Sequence, residues 1–163
     1  MRLHDTLGGV TEGRLTLRWL DLAGNPYYVY KSPNLITHGY RDVVANLLAQ
    51  NFPNVSTFEA DQYRLYEVRF GTGNATPLRT QTGLNIPAQD AVAPLTSVAK
   101  SLTADGVVLT CKALLDYSIT VDGDIQELGM FTQDGTMFAR QLTPANPKHE
   151  NNALEVTWEF QIR

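Results

Sequence analysis

Ile125-Gln126-Glu127-Leu128-Gly129-Met130-Phe131-Thr132-Gln133-Asp134-Gly135-Thr136-Met137-Phe138-Ala139-Arg140 is the stretch that decides the fold. Two short apolar-bearing runs flank Asp134-Gly135, a dipeptide that readily supplies the positive-φ residues of a tight turn. The stretch therefore predicts a β-hairpin and an antiparallel β protein. No residue in it has the setting of a catalyst. Strict alternation cannot bury both Met130 and Phe131, nor both Met137 and Phe138, on one face. One residue of each pair needs separate cover, from a helix or a neighbouring subunit.

Working outward, the same period of two recurs along the chain. Leu15, Leu17 and Trp19 alternate with Arg14, Thr16 and Arg18, and turn chemistry around Gly24-Asn25 leads into Tyr27-Tyr28-Val29-Tyr30, a return strand. Tyr63 to Phe70 reads as a strand with Tyr66, Val68 and Phe70 on one face. Ser97 to Leu102 turns at Asp105-Gly106 into Val107 to Leu115. Pro144 to Asn152 reads as a polar loop. The last strand is the clearest: Leu154, Val156, Trp158, Phe160 and Ile162 alternate with polar residues without a fault up to Arg163, which makes the C-terminus part of the fold.

One segment has helical period. Ile36, Tyr40, Val43, Val44, Leu47 and Leu48 form an apolar stripe, with Thr37 as N-cap and Pro53 as stop, predicting one amphipathic helix at about 37–50. Its polar face lacks the Lys/Arg enrichment of a membrane-surface helix. Residues 1–13, with Gly8, Gly9 and Gly13, read as an irregular arm, and about 74–94 as a long loop broken by Pro77, Pro87 and Pro94. The whole predicts one domain over 14–163: an antiparallel β-sandwich of roughly eight strands, with a jelly roll as one topology.

Composition narrows the function. A chain of 163 residues with 43% hydrophobic content can bury one core without disulfides or metal. The charged fraction of 18% suggests surface covered by partners. A net charge of −4 and a pI near 5.3 argue against a nucleic-acid binder that relies on a global positive field. No basic stretch followed by an apolar run opens the chain, and no apolar segment approaches the ~20 residues that cross a bilayer, so neither export by the Sec route nor membrane insertion is expected.

The search for chemistry excludes more than it finds. Cys111, the single cysteine, lies in an apolar run and reads as a small core hydrophobe. Gly71-Thr72-Gly73 lacks both the third glycine of a dinucleotide fingerprint and the Gly-Lys-Ser/Thr end of a phosphate loop. His4, His38 and His149 have no ligand spacing, and Asp122-Gly123-Asp124 lacks the remaining oxygens of a calcium loop. No serine sits in a nucleophile elbow. The expectation is no enzyme, no cofactor and no metal. The tyrosines 27, 28 and 30 offer another use, stacking on sugars or anchoring an interface, although alternation sends Tyr28 and Tyr30 to one face and Tyr27 to the other.

The order of the signals resembles a family of small tailed-bacteriophage virion proteins that includes tail-fibre attachment and collar-type domains. The matching pieces are Asn34-Leu35-Ile36 before the apolar helix, Val68-Arg69-Phe70-Gly71-Thr72-Gly73 with its sequel through Leu84, Glu127-Leu128-Gly129-Met130-Phe131, Met137-Phe138-Ala139-Arg140, and Val156-Thr157-Trp158-Glu159-Phe160. The first hairpin, residues 14–30, is not covered. The resemblance implies a non-enzymatic virion building block, repeated by symmetry and assembled in the host cytoplasm, that contacts copies of itself and other virion proteins. Relatives of this kind often carry a long downstream fibre or receptor-binding region. A chain stopping at Arg163 is then expected to be an adaptor, decoration or collar subunit of tail, baseplate, neck or capsid. The candidate interface is Tyr27, Tyr28, Tyr30, Pro77, Leu78, Arg79, Pro87, Met130 and Phe131. A carbohydrate- or receptor-binding module is the alternative, with a host-surface glycan as its partner.

Overall fold

The computed structural model describes residues 10–33, 35–40, 43, 44 and 60–162. Its architecture follows from three strands whose side chains alternate without interruption: β1 (Val10–Leu20), β6 (Gly106–Leu115) and β9 (Ala153–Ile162). β9 lies between the other two. Registered rows run across all three strands: Leu15–Trp158–Cys111, Leu17–Val156–Ala113 and Trp19–Leu154–Leu115. Every member of these rows is buried, and the small Cys111 and Ala113 leave room beside Trp158 and Val156.

The remaining strands extend this centre into one nine-stranded sheet in the order β2-β1-β9-β6-β5-β4-β7-β8-β3. They are β2 (Pro26–Pro33), β3 (Leu35–Ile36), β4 (Leu65–Gly71), β5 (Pro87–Thr103), β7 (Asp124–Thr132) and β8 (Met137–Pro147). Every neighbouring pair is antiparallel. The two ends of the order, β2 and β3, follow one another in the chain. Gln141 Nε2 donates to Ser32 Oγ at 2.9 Å, so β8 also reaches back to β2 and the sheet is nearly closed into a barrel. A closed sheet hides its edges from stray pairing.

The antiparallel β class is as expected, while the two-sheet sandwich, with its jelly-roll option, is not confirmed, because the strands join in one continuous order. The reason is β5, a strand of 17 residues that serves both halves. Its first part pairs with β4 as far as Pro94, and from Leu95 it pairs with β6. Pro94, which has no N–H to donate, stands where β5 changes partner. The stretch expected as loop through 94 therefore ends at Ile86, and Pro87 opens a strand.

Other boundaries shift as well. Residues 10–13, expected in the arm, belong to β1, while 1–9 lie outside the described residues. The amphipathic helix expected at about 37–50 is not seen as an element: Gly39, Tyr40, Val43 and Val44 have helical backbone, and the rest of 41–50 falls outside the described residues. A short 3-10 helix, Ala60–Tyr63, precedes β4. Tyr66 leaves the face of Val68 and Phe70 because the ladder shifts register between Leu65 and Glu67. β8 continues to Pro147, into the expected polar loop, and Lys148 behind it is buried. Its Nζ donates to the carbonyls of Ile119 and His149, at 2.6 and 3.0 Å.

A candidate interface loop fastened by a buried ion pair

The hairpin β7–β8 turns at Asp134-Gly135 as the sequence predicts, with Gly135 at φ 86°. Thr132 N donates to Thr136 O and Gly135 N to Thr132 O, both at 3.0 Å. Asp134 accepts from Thr132 Oγ1, and its Oδ1 and Oδ2 accept from Thr136 N and Oγ1 at 3.0 and 3.1 Å. Burial pushes the Asp134 carboxyl up, but these hydrogen bonds outweigh it and hold it below the usual carboxylate range.

Above the turn both faces of the hairpin are buried. Leu128, Met130, Phe138 and Ala139 join the core. The ladder shifts between Met130 and Phe131, which pairs with Met137, so Phe138 and Ala139 can both turn inward. The opposite face carries Glu127, Gly129, Phe131 and Arg140, all buried too. On the inner face Phe138 meets Tyr40 of the helical segment edge-on at 6.1 Å, as the expected helix cover required, while the opposite face is covered by a loop. Segment 72–86 is that loop: a Cβ on Gly129 would stand 3.1 Å from Leu84 Cδ2. Arg69 places its guanidinium carbon 4.4 Å from the Phe131 ring centre.

The fastening is ionic. Glu127 and Arg140 pair at 2.6 Å with both side chains fully buried. Glu127 Oε2 accepts from Arg140 Nη2 at 2.6 Å, from Arg140 Nε at 2.8 Å and from Asn85 N at 3.0 Å, while Oε1 accepts from Ile86 N at 2.7 Å. Three of the four donors converge on Oε2 and one reaches Oε1, so both carboxylate oxygens are engaged. Arg140 Nη1 donates to Gln81 Oε1 at 2.8 Å, and the same oxygen accepts from Leu78 N at 2.8 Å. His38 N donates to Arg79 O at 2.8 Å, and Thr72 N to Ile86 O at 2.9 Å, which closes the neck of the loop.

Close approach explains the glycines. A Cβ on Gly73 would collide with Glu127 Oε1 and lie 2.8 Å from both Asn85 Cβ and Ile86 N. A Cβ on Gly71 would come within 2.8 Å of Glu127 Oε1. The Gly71-Thr72-Gly73 step is thus the space the buried carboxylate occupies, rather than a nucleotide loop. A fully paired buried ion pair adds little net stability but fixes one arrangement, because any slip strands a charge in the interior.

The nine residues of the candidate interface separate on this framework. Leu78 is 57% exposed, Arg79 and Pro87 are exposed, and Pro77 is half-buried; Ile86, unmarked in the sequence, is exposed beside Pro87. Tyr27 is 56% exposed on β2, with its hydroxyl oxygen accepting from Asn152 Nδ2 at 3.1 Å. Tyr28 and Tyr30 pack inward as their parity requires: Tyr28 meets Trp19 edge-on at 5.4 Å, and the Tyr30 hydroxyl points to Leu142 O at 3.5 Å. Met130 and Phe131 are buried and offer no surface, which removes them from the interface. The sequence reading missed Glu127, Arg140, Gln81 and the packing role of Gly71 and Gly73. The available signal was opposite charge on two facing strands otherwise filled with apolar residues.

Cys111 is buried at the sheet centre, and burial pushes its thiol up to about 12, so it is no nucleophile near neutrality. Among the described residues no group of three or more His, Cys, Asp and Glu could hold a metal, and no helix is long and apolar enough to cross a membrane. Comparison with protein-family models, curated proteins and solved structures gives no match.

Proposed function

We propose that the chain is a non-enzymatic structural subunit of a tailed-phage virion, a tail, baseplate or neck component that acts as an adaptor or as a collar or fibre anchor. One observation carries the reading. Three pieces of the resemblance that are distant in sequence, Val68 to Gly73, Glu127 to Phe131 and Met137 to Arg140, meet around a single buried ion pair. That pair fastens a loop whose exposed members, Leu78, Arg79 and Ile86, are available for contact. A loop held in one shape loses little entropy on docking, which suits a symmetric assembly of many copies.

In this reading the sheet is the rigid, sandwich-like platform and the 72–86 loop its contact, made to copies of itself and to other virion proteins after assembly in the host cytoplasm. Capsid decoration is the same role at another place in the particle. Exposed Tyr27 and Val29, neighbours on the outward face of β2, favour the second reading, a receptor- or carbohydrate-binding module. Sedimentation of the purified chain and mass spectrometry of intact particles test the proposal. Oligomers and a constant copy number per virion are expected; a monomer absent from the particle refutes it.

A further inference from the structure

Three chain segments meet beside the fastened loop, around a cleft of about 350 Å³. His38 and Gly39 come from the segment after β3, Arg79 to Thr82 from the loop, and Asp134 to Met137 from the β7–β8 turn. Each is held independently of any ligand. Thr37 Oγ1 donates to Phe138 O at 3.0 Å, His38 N to Arg79 O at 2.8 Å, and Gln81 is gripped by Arg140. The cleft is preformed, and its size is at the lower end of small-molecule sites, about 300 Å³, which suits one ring rather than a large cofactor.

The chemistry of its wall is mixed. Arg79 is exposed and, among the described residues, has no ion-pair partner, so its planar fork is free for a carboxylate. Asp134 is an acceptor fixed by Thr132 and Thr136. Thr80, Thr82 and Thr136 add hydroxyls, and His38 a ring that can donate or accept. A cation, a carboxylate and hydroxyl groups in one small cleft match a ligand that carries one negative charge and several hydroxyls. Asp134 disfavours a dianion such as phosphate, and an apolar molecule would strand the polar wall.

We propose that this cleft binds a single carboxylate-bearing sugar residue, of which a uronic acid is the simplest, with Arg79 on the carboxylate and Asp134 accepting from a ring hydroxyl. This site is distinct from the β2 tyrosines; it shares Arg79 with the proposed virion contact but is tested on the free chain, so either proposal can fail alone.

Amide chemical shifts of the full chain, titrated with glucuronate, glucose, acetate and inorganic phosphate, test it. Glucuronate should give saturable shifts centred on His38, Arg79 to Thr82 and Thr136, and bind at least about tenfold tighter than the other three. Arg79→Gln should weaken glucuronate by about tenfold or more, and Lys100→Gln, on the exposed part of β5, should not. No saturable shift at these residues overturns the proposal. So does equal binding of acetate, glucose or phosphate, or full affinity in Arg79→Gln.

Discussion

Glu127 Oε2 lies 2.6 Å from Arg140 Nη2, and neither side chain touches solvent. The two residues come from adjacent strands of one hairpin, yet half of the donors to the carboxylate are backbone N–H groups of a loop some forty residues earlier, at 41 and 42 positions' separation. A local hairpin thus acts as the clamp for a distant segment.

Removing one partner should cost much more than exchanging both. Glu127→Ala leaves a guanidinium buried without its carboxylate, a loss of about 3–5 kcal/mol. The double variant Glu127→Leu, Arg140→Met should lose less than the sum of the two single changes. Urea melts give the stabilities. Trypsin gives the local effect: cleavage after Arg79 should accelerate in Glu127→Ala well below its unfolding midpoint.

Gly73→Ala tests the same clamp without changing any charge. The added methyl meets Glu127 and the backbone N–H of Ile86 inside ordinary contact distance. It should cost about 1–3 kcal/mol as overpacking. A wild-type melt would show that the loop does not lie against the carboxylate.

Phe160 stacks on Trp158 at 5.9 Å and meets Phe138 edge-on at 5.0 Å, which joins the two halves of the sheet. Phe160→Ala should therefore cost about 3–5 kcal/mol, measured by denaturant unfolding.

Cys111 predicts a pH effect of definite sign. Its thiol rises from 9.0 to about 12 on folding, so the folded chain keeps the proton more firmly than the unfolded one. The resulting stabilisation is complete below pH 9 and is lost as pH rises towards 12. Cys111→Ala should show a shallower alkaline loss than the wild type over that window. At neutral pH, a disulfide reagent should label the wild-type thiol only when the protein unfolds.

Leu78→Asp separates assembly from folding. The side chain is exposed, so stability should change by no more than about 0.5 kcal/mol, while incorporation into particles falls. Full incorporation would remove this loop from the contact surface.

The strands of β1, β6 and β9 were legible because each has one buried face, and a period of two is all that such a strand needs. The parity of the β2 tyrosines followed from the same rule. Alternation along β7 and β8 also revealed that Met130, Phe131, Met137 and Phe138 could not share a face. It could not say what covered the other side, because the cover, Leu84 and its loop, has no period of its own. β5 was hidden for a related reason. Its prolines read as breakers, and pairing two different neighbours leaves Ala91 and Ala93 as its fully buried residues. The ion pair was on view as two charges among apolar neighbours, but their convergence is tertiary.

The central claim is that the 72–86 loop, through its exposed Leu78 and Ile86, is an interface within a virion. Hydroxyl-radical footprinting of the free chain and of intact particles that carry it tests this most directly. The account predicts that Leu78 and Ile86 react in the free chain and are protected in the particle, while Met130 and Phe131 are protected in both. Equal reactivity of Leu78 and Ile86 in the two states, or particles without the chain, would contradict it.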